Sequence, residues 1–164
     1  MAKARNLAQA NDLWPFVRVA FQPDGGLRDI VVLKTDTADW DNALHALSAA
    51  GWPSKASVGD KPLQRPLGFD VMYGCRQEDP VLLAIYADGI QLNSHFFEPE
   101  KIEFDLEPGQ VTAKNFPALC RFMSMLSAAT DKACLLSMEN VSFVSPPILS
   151  VDARLDRIVA HMTD

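Results

Sequence analysis

The chain reads as a single α+β domain spanning 1–164, with a mainly antiparallel sheet whose helices pack on one face. Three observations predict this class. Lys101 to Glu107 alternates apolar and charged residues strictly, the period of a half-buried strand. Asp88-Gly89 separates two apolar runs, Val81 to Ala87 and Ile90 to Phe97, which is a strong hairpin signal because a type I′ turn needs positive φ at both central residues. Helical stripes recur only between groups of strands, giving the order helix, hairpin, helix, loop, several strands, helix, two strands, helix.

Residues 3–12 suit a short polar helix. Phe16 to Gln22 has Val17, Val19 and Phe21 in alternation and is expected as a strand, followed by the turn signal Pro23-Asp24-Gly25-Gly26 and a second strand over Asp29 to Lys34. The two together predict a hairpin. Asp36 or Thr37 caps the next helix, in which Trp40, Ala43, Leu44 and Leu47 form one apolar face; Gly51 ends it. Residues 53–68 are rich in Pro and Gly and read as a long connection with room for a short strand near Ala56–Val58. This connection divides the domain into possible sub-units, 16–51 and 69–164.

The second sub-unit begins with an expected strand at Phe69–Cys75 and a turn at Gln77–Pro80. The hairpin about Asp88-Gly89 follows. Glu98-Pro99-Glu100 then turns the chain into the acidic strand. A helix over 113–130 has the stripe Leu119, Phe122, Met123 and Leu126, with Asn115 as its cap and Pro117 in its first turn. Ala133–Met138 is a buried strand. Ile148–Val151, introduced by Pro146-Pro147, is edge-like. Asp152 caps a final helix with Leu155, Ile158, Val159 and Met162 facing inward. Hairpin-then-helix thus occurs twice, at 16–51 and 81–130.

Composition narrows the function. The chain is 48% hydrophobic and 22% charged, an ordinary globular balance. No apolar run approaches the roughly 20 residues of a membrane span, and the polar segment after Lys3 and Arg5 lacks a signal-peptide core, so a cytoplasmic protein is the expectation. Cys75, Cys120 and Cys134 are odd in number and widely spaced, which favours three buried thiols over disulfides or zinc. Between Asp70 and Gln110 there are nine acidic and two basic residues, a local −7 against −6 for the whole chain. Such a surface opposes nucleic-acid binding, which needs Lys and Arg, and favours a basic protein partner.

Register follows from polarity. Pairing the apolar faces sets Gln91, Asn93 and His95 beside Glu107, Asp105 and Glu103, because a slip of one residue buries the acids. Glu98, Glu100, Glu103, Asp105, Glu107, His95 and Asn93 are therefore the candidate partner-binding residues. A rigid row of carboxylates steers and docks a basic partner. His95 beside Glu103 as a general base is the catalytic alternative, but no phosphate loop, H-E-x-x-H or G-x-S-x-G accompanies it. We assign no catalytic residue, cofactor or metal from the sequence.

The pattern from Phe116 to Asp152 consists of a helix with Leu119, Phe122 and Met123, the turn Asp131-Lys132, the run Ala133 to Asn140, and Pro147-Ile148-Leu149. It resembles some bacterial immunity proteins of polymorphic-toxin and type VI secretion systems. The resemblance covers about half the chain and carries over no functional residue. It implies a small acidic cytosolic protein that inhibits a cognate toxin by occluding a basic active site. The alternative is a small-ligand-binding protein or enzyme with a pocket between sheet and helices, mouthed by Trp40, Trp52 and the 53–68 connection.

Overall fold

A computed structural model describes residues 2–64, 68–139 and 146–161 of the chain. Ten strands among them form one antiparallel sheet: β1 (Ala2–Arg5), β2 (Arg28–Leu33), β3 (Ser54–Val58), β4 (Lys61–Leu63), β5 (Val81–Ala87), β6 (Ile90–Ser94), β7 (Lys101–Leu106), β8 (Cys134–Met138), β9 (Leu149–Asp152) and β10 (Arg157–His161). Their spatial order is β1-β10-β9-β8-β2-β7-β6-β5-β3-β4. The helices are α1 (Trp14–Val17), α2 (Thr37–Ala49), α3 (Phe69–Cys75) and α4 (Phe116–Thr130), with 3₁₀ turns at 7–13, 18–21, 108–110 and 153–155. The α+β class therefore holds, and one sheet runs through both expected sub-units.

Burial alternates strictly along β6, β7 and β9, whose one face meets the core, whereas β2, β5 and β10 each bury three residues in a row. On β7, Ile102, Phe104 and Leu106 are buried and enter the single core cluster, whereas Lys101, Glu103 and Asp105 lie on the opposite face. Helix α4 lies across β8, β9, β2 and β5 and packs on α2; α3 packs on α2 and β5. The α2 cap is as expected: Asp36 Oδ1 accepts from the Asp39 N–H at 2.8 Å, and Asp39 Oδ2 accepts in return from the Asp36 N–H at 3.2 Å. Such a reciprocal cap stabilises a helix by about 1 kcal/mol.

Six expectations are corrected. Residues 16–22 are not a strand: α1 and the 18–21 turn are helical, burying Val17 and Phe21 four residues apart while Val19 is 66% exposed. Without that strand there is no first hairpin, and β2 pairs instead with β7 and β8. Phe69–Cys75 is α3, which buries Phe69 and Met72; the Asp41 carboxylate, from α2, accepts from the Phe69 N–H at its start. The final helix is absent. Asp152 does cap a turn, accepting from the Arg154 N–H, but Leu155 is exposed and the chain continues between β9 and β1 as β10, which puts Ile158 and Ala160 in the core cluster at period two and buries Val159 outside it. Met162 lies outside the described residues. At the other end, residues 3–12 divide into β1 and a 3₁₀ turn. The 148–151 strand is β9, interior between β8 and β10 rather than at an edge. The connection 53–68 contains the expected short strand as β3, hairpinned to β4.

The irregular segment 20–27 is organised by Arg28, which is 1% exposed. Its Nε donates to the Ala20 carbonyl at 2.7 Å, Nη1 to the Leu27 carbonyl at 3.0 Å, and Nη2 to the Gln22 carbonyl at 3.3 Å and to Asp24 Oδ2 at 3.1 Å. A buried guanidinium is tolerated only when its donors are used in this way. The Asp24 carboxyl is held below the usual carboxylate range, first by its bond from Arg28.

Candidate functional site

The site is built on the β5–β6–β7 meander. Asp88 and Gly89 have φ of 50° and 89°, so the β5–β6 turn has the left-handed geometry the sequence demands. Asn93 pairs with Asp105 across β6 and β7, as expected from polarity. Asn93 Nδ2 donates to Asp105 Oδ1 at 3.3 Å, and His95 Nε2 lies 3.3 Å from Asp105 Oδ2. The imidazole thus reaches Asp105 rather than Glu103. Its pKa is raised, mainly by this bond.

The acidic row is less bare than the sequence implies. Lys101 Nζ lies 2.8 Å from Glu103 and 3.6 Å from Glu98. Glu103 and Asp105 are half-buried; Glu98, Glu100 and Glu107 are exposed. Asp29 of β2 pairs with Asp105 and adds a carboxylate to the same face. Against Glu98, Glu103 and Asp105, Lys101 and His95 supply at most two positive charges, so these five side chains together stay net negative. The salt bridges themselves, at the surface, contribute little to stability.

Between β6 and β7 the chain leaves the ladder. Phe96 adopts φ of 55°, a left-handed conformation that costs a non-glycine residue roughly 1–2 kcal/mol. Its ring, 0% exposed, lies 5.2 Å from Trp40 and 6.1 Å from Phe69. Burying a phenylalanine is worth about 1.5–3 kcal/mol, enough to offset the strain.

Five successive carbonyls in this segment accept hydrogen bonds from elsewhere in the fold. Arg76 Nη1, at the end of α3, donates to Phe96 at 2.9 Å and Phe97 at 2.7 Å. Trp40 Nε1, from α2, donates to Glu98 at 3.2 Å. Thr35, just after β2, donates its hydroxyl to Pro99 at 2.7 Å and its N–H to Glu100 at 3.1 Å. The loop is therefore anchored from beneath while Phe97, Glu98 and Glu100 point to solvent. Loops held by a rigid scaffold are favoured positions for recognition.

The sequence identifies the acids but not Phe97, Tyr73 or Arg76. Phe97 is 51% and Tyr73 38% exposed. The guanidinium of Arg76 lies 5.8 Å from the Tyr73 ring and 5.0 Å from that of Phe97. His95 stacks on Phe97 at 5.2 Å. A doublet of aromatics at the end of an alternating strand was the available signal, since adjacent residues face opposite sides.

The other candidates fall elsewhere. Trp40 is in the core, and the cavity lined by Trp52, Leu44, Leu47 and Leu83 between α2 and the sheet measures about 20 Å³, room for about one water. Cys120 and Cys134 are buried, and burial pushes the Cys120 thiol up to about 12; Cys75 is half-buried, contrary to the expectation of three buried thiols. Among the described residues no group of His, Cys, Asp and Glu is placed to hold a metal, and no helix is long and apolar enough to cross a membrane. No family model, curated protein or solved structure matches the chain.

Proposed function

We propose that this protein is a protein-binding inhibitor of the immunity type, which docks a basic partner on the loop 96–100 and the adjoining face of β6 and β7. The observation that carries this is the anchoring of the loop. Side chains that recognise a partner must be held still before it arrives, because ordering them on contact subtracts from affinity. Here five carbonyls are tied down while one aromatic and two acidic side chains are left outside. The negative face supplies long-range attraction for a basic surface. The C-terminal resemblance to immunity proteins points the same way and implies that the partner is a toxin whose active site is covered.

The test pairs the purified protein with the product of the reading frame beside its gene. Association is expected to slow as salt is raised, and Glu98→Lys with Glu100→Lys is expected to slow it about tenfold at low salt. No binding at micromolar concentration, or rates indifferent to both salt and charge reversal, rejects the proposal.

A further inference from the structure

We infer that Phe97, in contact with Arg76 and His95, is the anchor of this docking surface, and that it enters an apolar pocket rimmed by Lys and Arg on the partner protein. The inference rests on the binding role proposed above and names the chemistry of its partner. Phe96 and Phe97 are neighbours with opposite fates. Phe96 is fully buried and carries the packing with Trp40 and Phe69. Phe97 is 51% exposed; its ring packs against the Arg76 guanidinium at 5.0 Å and the His95 imidazole at 5.2 Å. A large apolar ring left half in water gains little for folding, whereas aromatic and arginine side chains dominate the energetics of interfaces.

Three features favour an anchor over an incidental exposed ring. Its backbone is held, since its carbonyl and the one before it both accept from Arg76, and its ring packs on Arg76 and His95. It is not isolated: Tyr73, Arg76, Phe97, His95 and Asp105 form a continuous row of contacts from α3 to β7. Its rim is net negative: Lys101 pairs with Glu98 and Glu103, and His95 with Asp105, but the four acids Glu98, Glu100, Glu103 and Asp105 outnumber Lys101 and Arg76. An apolar centre inside a charged rim is the usual plan of an interface, with the rim excluding water from the centre. The sign of the rim selects a basic protein over a nucleic acid or a second copy of this acidic chain.

A photoreactive benzoylphenylalanine placed at position 97 of the full chain, with Leu155 on the 153–155 turn as the control position, captures the occupant in the source cells. The captured protein is then purified and its affinity measured against the unmodified chain, Phe97→Ala, Tyr73→Ala and the charge-reversed Glu98→Lys. We expect a basic protein captured from position 97 and not from 155. Phe97→Ala should weaken it about 30-fold, mostly through faster dissociation, with unfolding unchanged and with recovery in Phe97→Trp. A basic partner that loses less than about threefold with Phe97→Ala, yet still responds to Glu98→Lys and salt, overturns the anchor and leaves the docking role standing. No capture, capture of an acidic protein, or capture of a second copy of this chain overturns both.

Discussion

Two arginines do the same local job in two different settings. Arg28 collects the carbonyls of the irregular segment 20–27 with its side chain 2% exposed, whereas Arg76 collects two carbonyls of the irregular segment 96–100 beside exposed rings. In the first region the guanidinium is spent inside, Asp24 is half-exposed, and no aromatic ring is presented. In the second, the same kind of bond leaves an aromatic ring and acids outside. Irregular backbone is thus hydrogen-bonded in place in both regions, but of the two only the 96–100 segment leaves an aromatic side chain exposed.

The contrast can be broken most severely at Arg28. Arg28→Ala strands several carbonyls without their donor and is expected to cost about 3–5 kcal/mol in urea unfolding. A loss below 1 kcal/mol would show that water reaches these groups. The neighbouring phenylalanines come next. Phe96→Ala opens a cavity beside Trp40 and should cost about 3 kcal/mol, whereas Phe97→Ala should stay within about 0.5 kcal/mol. Equal losses at the two positions would dissolve the distinction between core ring and presented ring. Arg76→Ala should fall between, at about 1–2 kcal/mol, because water can replace its bonds to surface carbonyls.

The smallest effect is read by pH. His95 should titrate above the ordinary histidine range and His161 below it, the latter through burial and then Arg157. The signs are opposite. Stability from the His95–Asp105 contact is full below the ordinary histidine pKa and fades as pH rises through the raised value. The contribution of neutral His161 is present above the ordinary pKa and is lost as pH falls through its lowered value. NMR titration checks both, and Asp105→Asn should bring His95 down while leaving His161 in place. A His95 value unmoved by that substitution would remove the Asp105 bond as its cause.

The meander was legible because its signals are local. Polarity alternates along β7, Asp88-Gly89 imposes one turn geometry, and the face of each strand follows. The misread segments carry two periods at once. Val17 and Phe21 fit a strand as residues i and i+4 of an alternation, yet the same spacing suits one helical face, and Trp14 and Pro15 before them favour that face. Ile158 and Val159 read as a helix until β1 and β9 are known to lie on either side of their strand. The acids of the site could be named from sequence. The clasp beneath them could not, because Thr35, Trp40 and Arg76 come from three elements that meet only in the folded chain.

Strand β2 has a consequence for how the chain is made. Ile30 stands opposite Phe104 on one side and Leu136 on the other, so both neighbours leave the ribosome long after it does. During synthesis the run Ile30-Val31-Val32-Leu33 waits without a ladder, and such a waiting apolar strand is prone to stick to others of its kind. Closing contacts over these distances is also slow. Yield from an expressing cell should therefore depend on chaperone supply more than the finished fold would suggest, and any shortened version ending before β8 leaves the middle of the sheet with an open flank.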